Sequence, residues 1–555
     1  MNIRRSSFFL KGLVSLLILF FIPVLVAVQA RVCFLSAELS ERAVTLDSGA
    51  GFSELQSLLD ENKEGKYRLT VYVPAGTYKL TGELVIYSNT TLKSEYMVNA
   101  DGSVNEKTVF IRDNDKYGSL LACAPQTENI TIDGGIWDGA GYHSGESLCF
   151  VHSQNVKIEH CEVKNAYDGG HLISFAGVHG GIIDGCILHG YNGKKNKEAV
   201  HLDIVHSEVQ VPNLFSNDTA GYDDAACEDI TMNNCCIYDY PRGIGSHYSV
   251  KGVYHSDISI TGNYFHDLSA EGIYAYNYYG MKVSGNTFKR VGLAVRLFTK
   301  ITDDDSTYAD ANGGASKSII TDFKGEIQNN IIDTTTGTKS QKSGYGIEII
   351  GSADRVLGNI KIRKNRFKNI SNVSGYAIRA QYAQNLLISS NIINNTENGG
   401  ITLVNSNNCR IISNVIKNVS RYGIYLSASQ KNTIKSNTVD RAGNNGIVAD
   451  AGSDSCIIDS NKVNRSGKNG IAVYSASNKA VIRLNAVNLS KNHGIIVYKA
   501  DSAAVKSNTV KDSTLDGINI GTSKNTKVYS NKVTGSGRNS ISVVNSTGCN
   551  VKTEH

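Results

Sequence analysis

Ile378-Arg-Ala, Ile401-Thr-Leu, Ile424-Tyr-Leu, Ile447-Val-Ala, Ile471-Ala-Val, Ile495-Ile-Val, Ile518-Asn-Ile and Ile541-Ser-Val recur at intervals of 23 or 24 residues. Seven of these eight triplets follow Gly or Ala, and the last follows Ser540. A second column keeps the same register: Asn391, Asn414, Asn437, Asn461, Asn485, Asn508 and Asn531, each two residues before an apolar residue. Two columns at one period identify a solenoid, in which short strands stack on their equivalents one coil away, about 4.8 Å along the axis. Alternate residues of each strand then face a continuous core, and the Asn side chain turns into a bend to satisfy backbone groups that would otherwise be buried unpaired. That role is structural.

The Asn column continues toward the N-terminus through Asn286 and Asn263, and Cys235, Cys186 and Cys161 then take its place. Strand starts fall near Leu120, Leu148, Leu172, Val200, Ile244, Ile273, Val295 and Ile347. The expectation is an all-β, right-handed, single-stranded parallel β-helix of about 16 coils, a rod of roughly 75–80 Å. Composition agrees, with 53 Gly, 5 Pro and 1 Trp in 555 residues. An open solenoid end needs a cap. Residues 53–61 have helical apolar spacing and lead into Val71-Tyr-Val-Pro-Ala-Gly-Thr-Tyr78, so an N-terminal helical cap with the first strands is expected over 31–95, and coils over 96–555.

Arg4, Arg5 and Lys11 precede an apolar run from Leu13 to Val28, and Val28-Gln29-Ala30 suits a signal peptidase. Residues 1–30 therefore read as a signal peptide and the protein as secreted, extracellular and without a stable membrane anchor. The run is interrupted by Pro23 and is short for a bilayer span. The full chain carries +5, and loss of three positive and no acidic residues with the leader leaves +2. A near-neutral chain is no nucleic-acid binder and is expected as a monomer. Eleven Cys without paired C-x-x-C spacing read as mostly buried, reduced sulfur.

The helix followed by Val-Pro-Ala-Gly-Thr-Tyr, together with the coils, resembles the pectin-lyase-like β-helix superfamily of polygalacturonases, pectate lyases, alginate epimerases and phage tailspikes. The resemblance covers nearly the whole mature chain and implies the fold. It is weak for chemistry, since one fold hosts many activities. Lys197-Glu-Ala-Val-His-Leu-Asp203, followed by Arg242-Gly-Ile-Gly-Ser-His247, also resembles secreted bacterial glycosidases of the lacto-N-biosidase kind. The polygalacturonase signature and a pectate-lyase calcium cluster are not reproduced.

Chemistry concentrates in the central coils, 168–350. The outer column of the C-terminal coils (401–555) reads Thr402, Tyr425, Val448, Ala472, Ile496, Asn519, Ser542, a plain surface. In the central coils the same face carries His171, His201 with Asp203, His247, Tyr274 with Tyr276, Arg296, Glu348 and Arg379, with Glu198 and Arg242 in the preceding turns. Insertions at 207–226 and 303–318 flank this stretch. Glycoside hydrolysis needs two carboxyl groups about 5–9.5 Å apart. Glu198 and Asp203 would lie about 16 Å apart along one strand, so Asp223 and Asp224, returned by the loop, are the expected partners of Asp203. The reading is a glycosidase acting on an oligo- or polysaccharide. Asp203, Asp223 and Asp224 are its catalytic candidates, and His171, Glu198, His201, Arg242, His247, Tyr274, Tyr276 and Arg296 line an open groove for the substrate. No metal or cofactor is expected, although the run Asp303-Asp304-Asp305 could bind Ca²⁺. A lyase or C5-epimerase on uronic acids, with Arg242, Arg296 and a histidine neutralising the carboxylate, is one alternative. A non-catalytic adhesin is the other.

Overall fold

A computed structural model describes residues 39–552 apart from 99–103, 209–210, 212–216, 247, 251, 300–306, 309–321, 338–343 and 372–374. The signal segment, Cys33, His247 and the acidic run 303–305 lie outside the described residues.

The repeat closes into a parallel β-solenoid of about 19 turns. Its strands form two long sheets of 33 and 21 strands, linked coil by coil through parallel ladders. The repeat-derived count of about 16 was low because regular stacking begins before the repeat is legible: Ser40–Thr45 pairs with Tyr67–Val73, which pairs with Thr90–Ser94, which pairs with Glu128–Asp133. Among the described residues, the strand pair that runs antiparallel is Tyr96–Val98 against Val104–Arg112.

The period sets the packing. Ile378, Ile401, Ile424, Ile447, Ile471, Ile495 and Ile518 are fully buried, and one apolar core runs from Leu46 to Val528. The glycine before each strand is required by space. A Cβ on Gly470 would stand 2.2 Å from Val487 Cγ1 and 2.6 Å from the Gly494 carbonyl oxygen. The helix Phe52–Asp60 lays Leu55 and Leu59 on the end of that core, as a cap must.

The asparagines form a ladder that includes Asn330 and Asn365. Asn391 donates through its backbone N–H (3.0 Å) and its Nδ2 (2.9 Å) to Asn414 Oδ1, and its Nδ2 also reaches the Ile362 carbonyl at 2.9 Å. The same pattern repeats at Asn414, Asn437, Asn461 and Asn485. The ten described cysteines are free thiols, and eight of them are buried. Burial pushes Cys409 up to about 12 and Cys456 up to about 11, which leaves them protonated and unreactive at neutral pH.

Candidate functional site

Strand register brings the expected outer column together. Ser174 pairs with His201, His201 with Gly245, Gly245 with Tyr274, Tyr274 with Arg296, Arg296 with Glu348, Glu348 with Arg379 and Arg379 with Thr402. Gly245 occupies the register position that the sequence reading assigned to His247.

A second column stands two residues ahead of the inward-facing apolar residue, in the turn before the strand for Glu146 and His171 and within the strands for Glu198, Arg242 and Glu271. It consists of Glu146, His171, Glu198, Arg242 and Glu271, ahead of Leu148, Ile173, Val200, Ile244 and Ile273. Glu146 and Glu271 are the members missed from sequence. Their signal is a recurring triplet of charged, small and apolar residues: Glu146-Ser-Leu, Glu198-Ala-Val, Arg242-Gly-Ile and Glu271-Gly-Ile.

From Glu198 onward these groups form a chain of alternating charge. Arg242 donates from Nη1 to Glu198 Oε1 (2.7 Å) and from Nε to Glu271 Oε2 (2.8 Å), while its guanidinium lies 3.8 Å from the Tyr274 ring centre. Arg296 bridges Glu271 Oε1 (3.3 Å) and Glu348 Oε2 (2.7 Å), and Arg379 donates to Glu348 Oε1 (2.6 Å). Burial alone would lower the pKa of Arg242, but Glu198 and Glu271 reverse that and hold it above its ordinary value. Arg296 is raised in the same way by Glu348 and Glu271. The expected substrate-binding residues Glu198, Arg242 and Arg296 are thus committed to one another. Tyr274 lies under Arg242, and Tyr276 is buried against the Phe298 ring at 4.4 Å. This part of the expected groove is a ladder of paired charges with buried glutamates and partly exposed arginines, in which each charge finds its counter-ion one coil away and the pair is cheaper to bury than either ion alone.

Glu146 begins the column. Its Oε2 accepts the His171 N–H at 2.9 Å, and its side chain keeps some exposure. Burial pushes its carboxyl up to about 8 against the pull of Lys197 and the His171 N–H, and the neighbouring Asp203 and Glu198 charges push the same way. His171 donates from Nδ1 to the Glu198 carbonyl oxygen at 2.6 Å. A carbonyl can only accept, so Nδ1 carries the proton. The His171 ring stacks on His201 at 4.2 Å, and His201 Nδ1 stands 3.6 Å from Asp203 Oδ2.

Asp203 points away from the core, as expected, but is only 4% exposed, and His171, His201 and Glu198 are at 2%, 3% and 0%. The open trough expected from sequence is therefore covered at this point. The insertion after Asp203 returns through an antiparallel bridge between Val205 and Ala225, and Ala176, Val205, Val211 and Tyr222 pack under it. The Tyr248 hydroxyl donates to the Ile204 carbonyl. Asp223 and Asp224, expected beside Asp203, are each turned onto a histidine. Asp223 Oδ1 is 3.2 Å from His152 Nε2, with Asp218 Oδ2 2.7 Å from the opposite ring nitrogen, and Asp224 Oδ1 is 2.6 Å from His206 Nδ1. These contacts clamp the loop. Asp203 is one of the charges that raise the Glu146 carboxyl.

His171, Glu198 and His201 offer ligand atoms within 4.8 Å of one another. Their rings are stacked 14° from parallel, so the in-plane lone pairs run side by side rather than converging on one point, and Arg242 already neutralises Glu198. The trio fits a hydrogen-bonded acid–histidine cluster better than a transition-metal centre.

A family model described as the right handed beta helix region matches residues 119–295 and 318–487, more than half of the chain. The chain belongs to the right-handed β-helix family. Within this β-helix, residues 444–552 also match the model of the periplasmic copper-binding protein NosD. No curated protein matches. Among solved structures, PfbA, a surface adhesin of Streptococcus pneumoniae, is 18% identical over 69% of this chain and 89% of its own, with a TM-score of 0.50. The tailspike of E. coli bacteriophage HK620, solved with a pentasaccharide, is 13% identical over 91% and 77%, with a TM-score of 0.44. These likenesses concern the fold. Among the described residues no helix is long and apolar enough to cross a membrane.

Proposed function

We propose that this β-helix is an exported glycoside hydrolase in which Glu146 is the general acid and Asp203 the opposing carboxylate. The observation that carries this reading is the row of groups from Glu146, which accepts the His171 N–H, through the stacked His171 and His201 rings to Asp203, with burial raising the Glu146 carboxyl to about 8. A carboxyl raised by burial supplies the proton donor that glycoside cleavage requires, and Asp203 is placed as the second carboxyl of the pair. Glu146 would protonate the departing glycosidic oxygen as the C1–O bond breaks. Asp203 would then meet the anomeric carbon or take a proton from the attacking water. His171 and His201 position the two acids, while His152, His206, Asp223 and Asp224 hold the loop beside them. Arg242 and Arg296, the cations that β-elimination on a uronic acid would use, are both engaged in the ladder, which favours hydrolysis over the lyase alternative.

The near-complete burial of Asp203 and His201 favours a second reading, a surface rod that binds glycans without cleaving them. Turnover on a panel of neutral oligosaccharides separates the two. Glu146→Gln and Asp203→Asn should each lower kcat by about 10²–10⁴-fold, with Asp223→Asn much milder. A wild type that binds but releases no product, with Asp203→Asn binding equally well, would leave only the adhesin.

A further inference from the structure

A separate cavity of about 340 Å³ lies near the N-terminal end, floored by the 21-stranded sheet and sharing no lining residue with the Glu146–Asp203 site. Its floor is an outward column of three successive strands, Tyr72 paired with Lys93 and Lys93 with Asp133. Tyr72 is 42% exposed. Asp133 is the polar centre: its Oδ2 is 3.4 Å from Lys93 Nζ and its Oδ1 is 3.0 Å from His160 Nδ1. A wall is formed by Tyr96, whose hydroxyl donates to Glu162 Oε2 at 3.2 Å, which fixes the ring. Glu95 adds a second acid to the rim.

We infer that this cavity is a glycan subsite that holds one ring of a neutral oligosaccharide. Its volume is at the small end of the roughly 300–1,000 Å³ range of ligand pockets, the scale of one sugar unit. A carboxylate flanked by an ammonium presents acceptors and donors side by side, which matches adjacent sugar hydroxyls, and the Tyr72 face offers an apolar surface for ring C–H groups. Asp133 and Glu95 offset Lys93 whether or not His160 is protonated, so the cavity has no positive excess with which to attract a polyanion. The subsite does not depend on cleavage at Glu146, because it is built from different residues.

Calorimetric titration of the full chain with neutral hexaoses (cello-, malto- and galacto-oligosaccharides), and with a galacturonate hexamer as the charged control, tests this. At least one neutral hexaose should bind, with affinity about tenfold weaker in Tyr72→Ala and in Lys93→Met and retained in Tyr72→Phe. Glu146→Gln should leave this component of binding intact, so loss of turnover and loss of the subsite are distinguishable. Thermal melts equal to wild type show that the variants fold, and retention in Tyr72→Phe ties the loss to the ring face. The inference is overturned if no neutral hexaose binds at millimolar concentration, if Tyr72→Ala and Lys93→Met bind as wild type does, or if the galacturonate hexamer is preferred.

Discussion

Replacing Glu146 by Gln should stabilise the protein at alkaline pH and leave it unchanged at acid pH. Gln has the shape of the protonated carboxyl and can still accept the His171 N–H that Oε2 accepts at 2.9 Å. Between pH 4.5 and about 8 the wild-type carboxyl is neutral in the fold and ionised in the unfolded chain. Folding therefore takes up a proton, and stability falls as pH rises through that window, with the full cost present above 8. A displacement from 4.5 to about 8 corresponds to roughly 5 kcal/mol at most, and solvent reaching the partly exposed carboxyl reduces this to a few kcal/mol. At pH 7 roughly nine-tenths of the wild-type carboxyls are protonated. Since a solenoid destabilises locally rather than all at once, hydrogen exchange of the segment around residues 146–203 is the sharpest assay, alongside urea unfolding at pH 4, 7 and 9. Glu146→Gln should match wild type at pH 4 and show slower local opening at pH 9, and the basic limb of kcat/KM in wild type should fall near 8. Superimposable exchange at every pH would mean that Glu146 ionises like a surface glutamate, and the acid assigned to catalysis would be lost.

Glu271→Ala, which leaves Arg242 and Arg296 without their shared carboxylate, should cost about 3–5 kcal/mol in urea unfolding. Asn414→Ala removes acceptors from Asn391 and a donor from the Ile388 carbonyl and should cost about 2–4 kcal/mol by the same measurement. Leu484 is 58% exposed and sits at φ +56°, where the neighbouring coils place Ser460 and Ser507 at the same angle. Leu484→Asn should therefore raise stability by about 1 kcal/mol, seen as a higher Tm.

The site was half legible in the chain. His201, Tyr274, Arg296, Glu348 and Arg379 fall in one column because each directly follows an inward-facing strand start, and a strand's period of two turns that residue outward. The triplets of Glu146, Glu198, Arg242 and Glu271 were equally readable. Their mutual neutralisation was not, since Glu198 meets Arg242 from 44 residues away and Arg296 meets Glu348 from 52, across coils whose inserted loops break the period. Asp223 and Asp224 were assigned to Asp203 because Glu198 lay too far along its strand and the loop returned them, but a returning loop does not say which way its side chains turn, and here they meet His152 and His206.

By itself the sequence determined the architecture: spaced isoleucines fix the core, glycines the close approach of coils, and asparagines the hydrogen-bonded bend. Each is a local rule repeated, so it survives without knowledge of distant contacts. The tertiary structure alone decided that the Glu146 carboxyl is raised and which acids are sheltered. Burial depth and electric field at Glu146 and Asp203 are sums over groups that only the folded rod and its returning loop bring together.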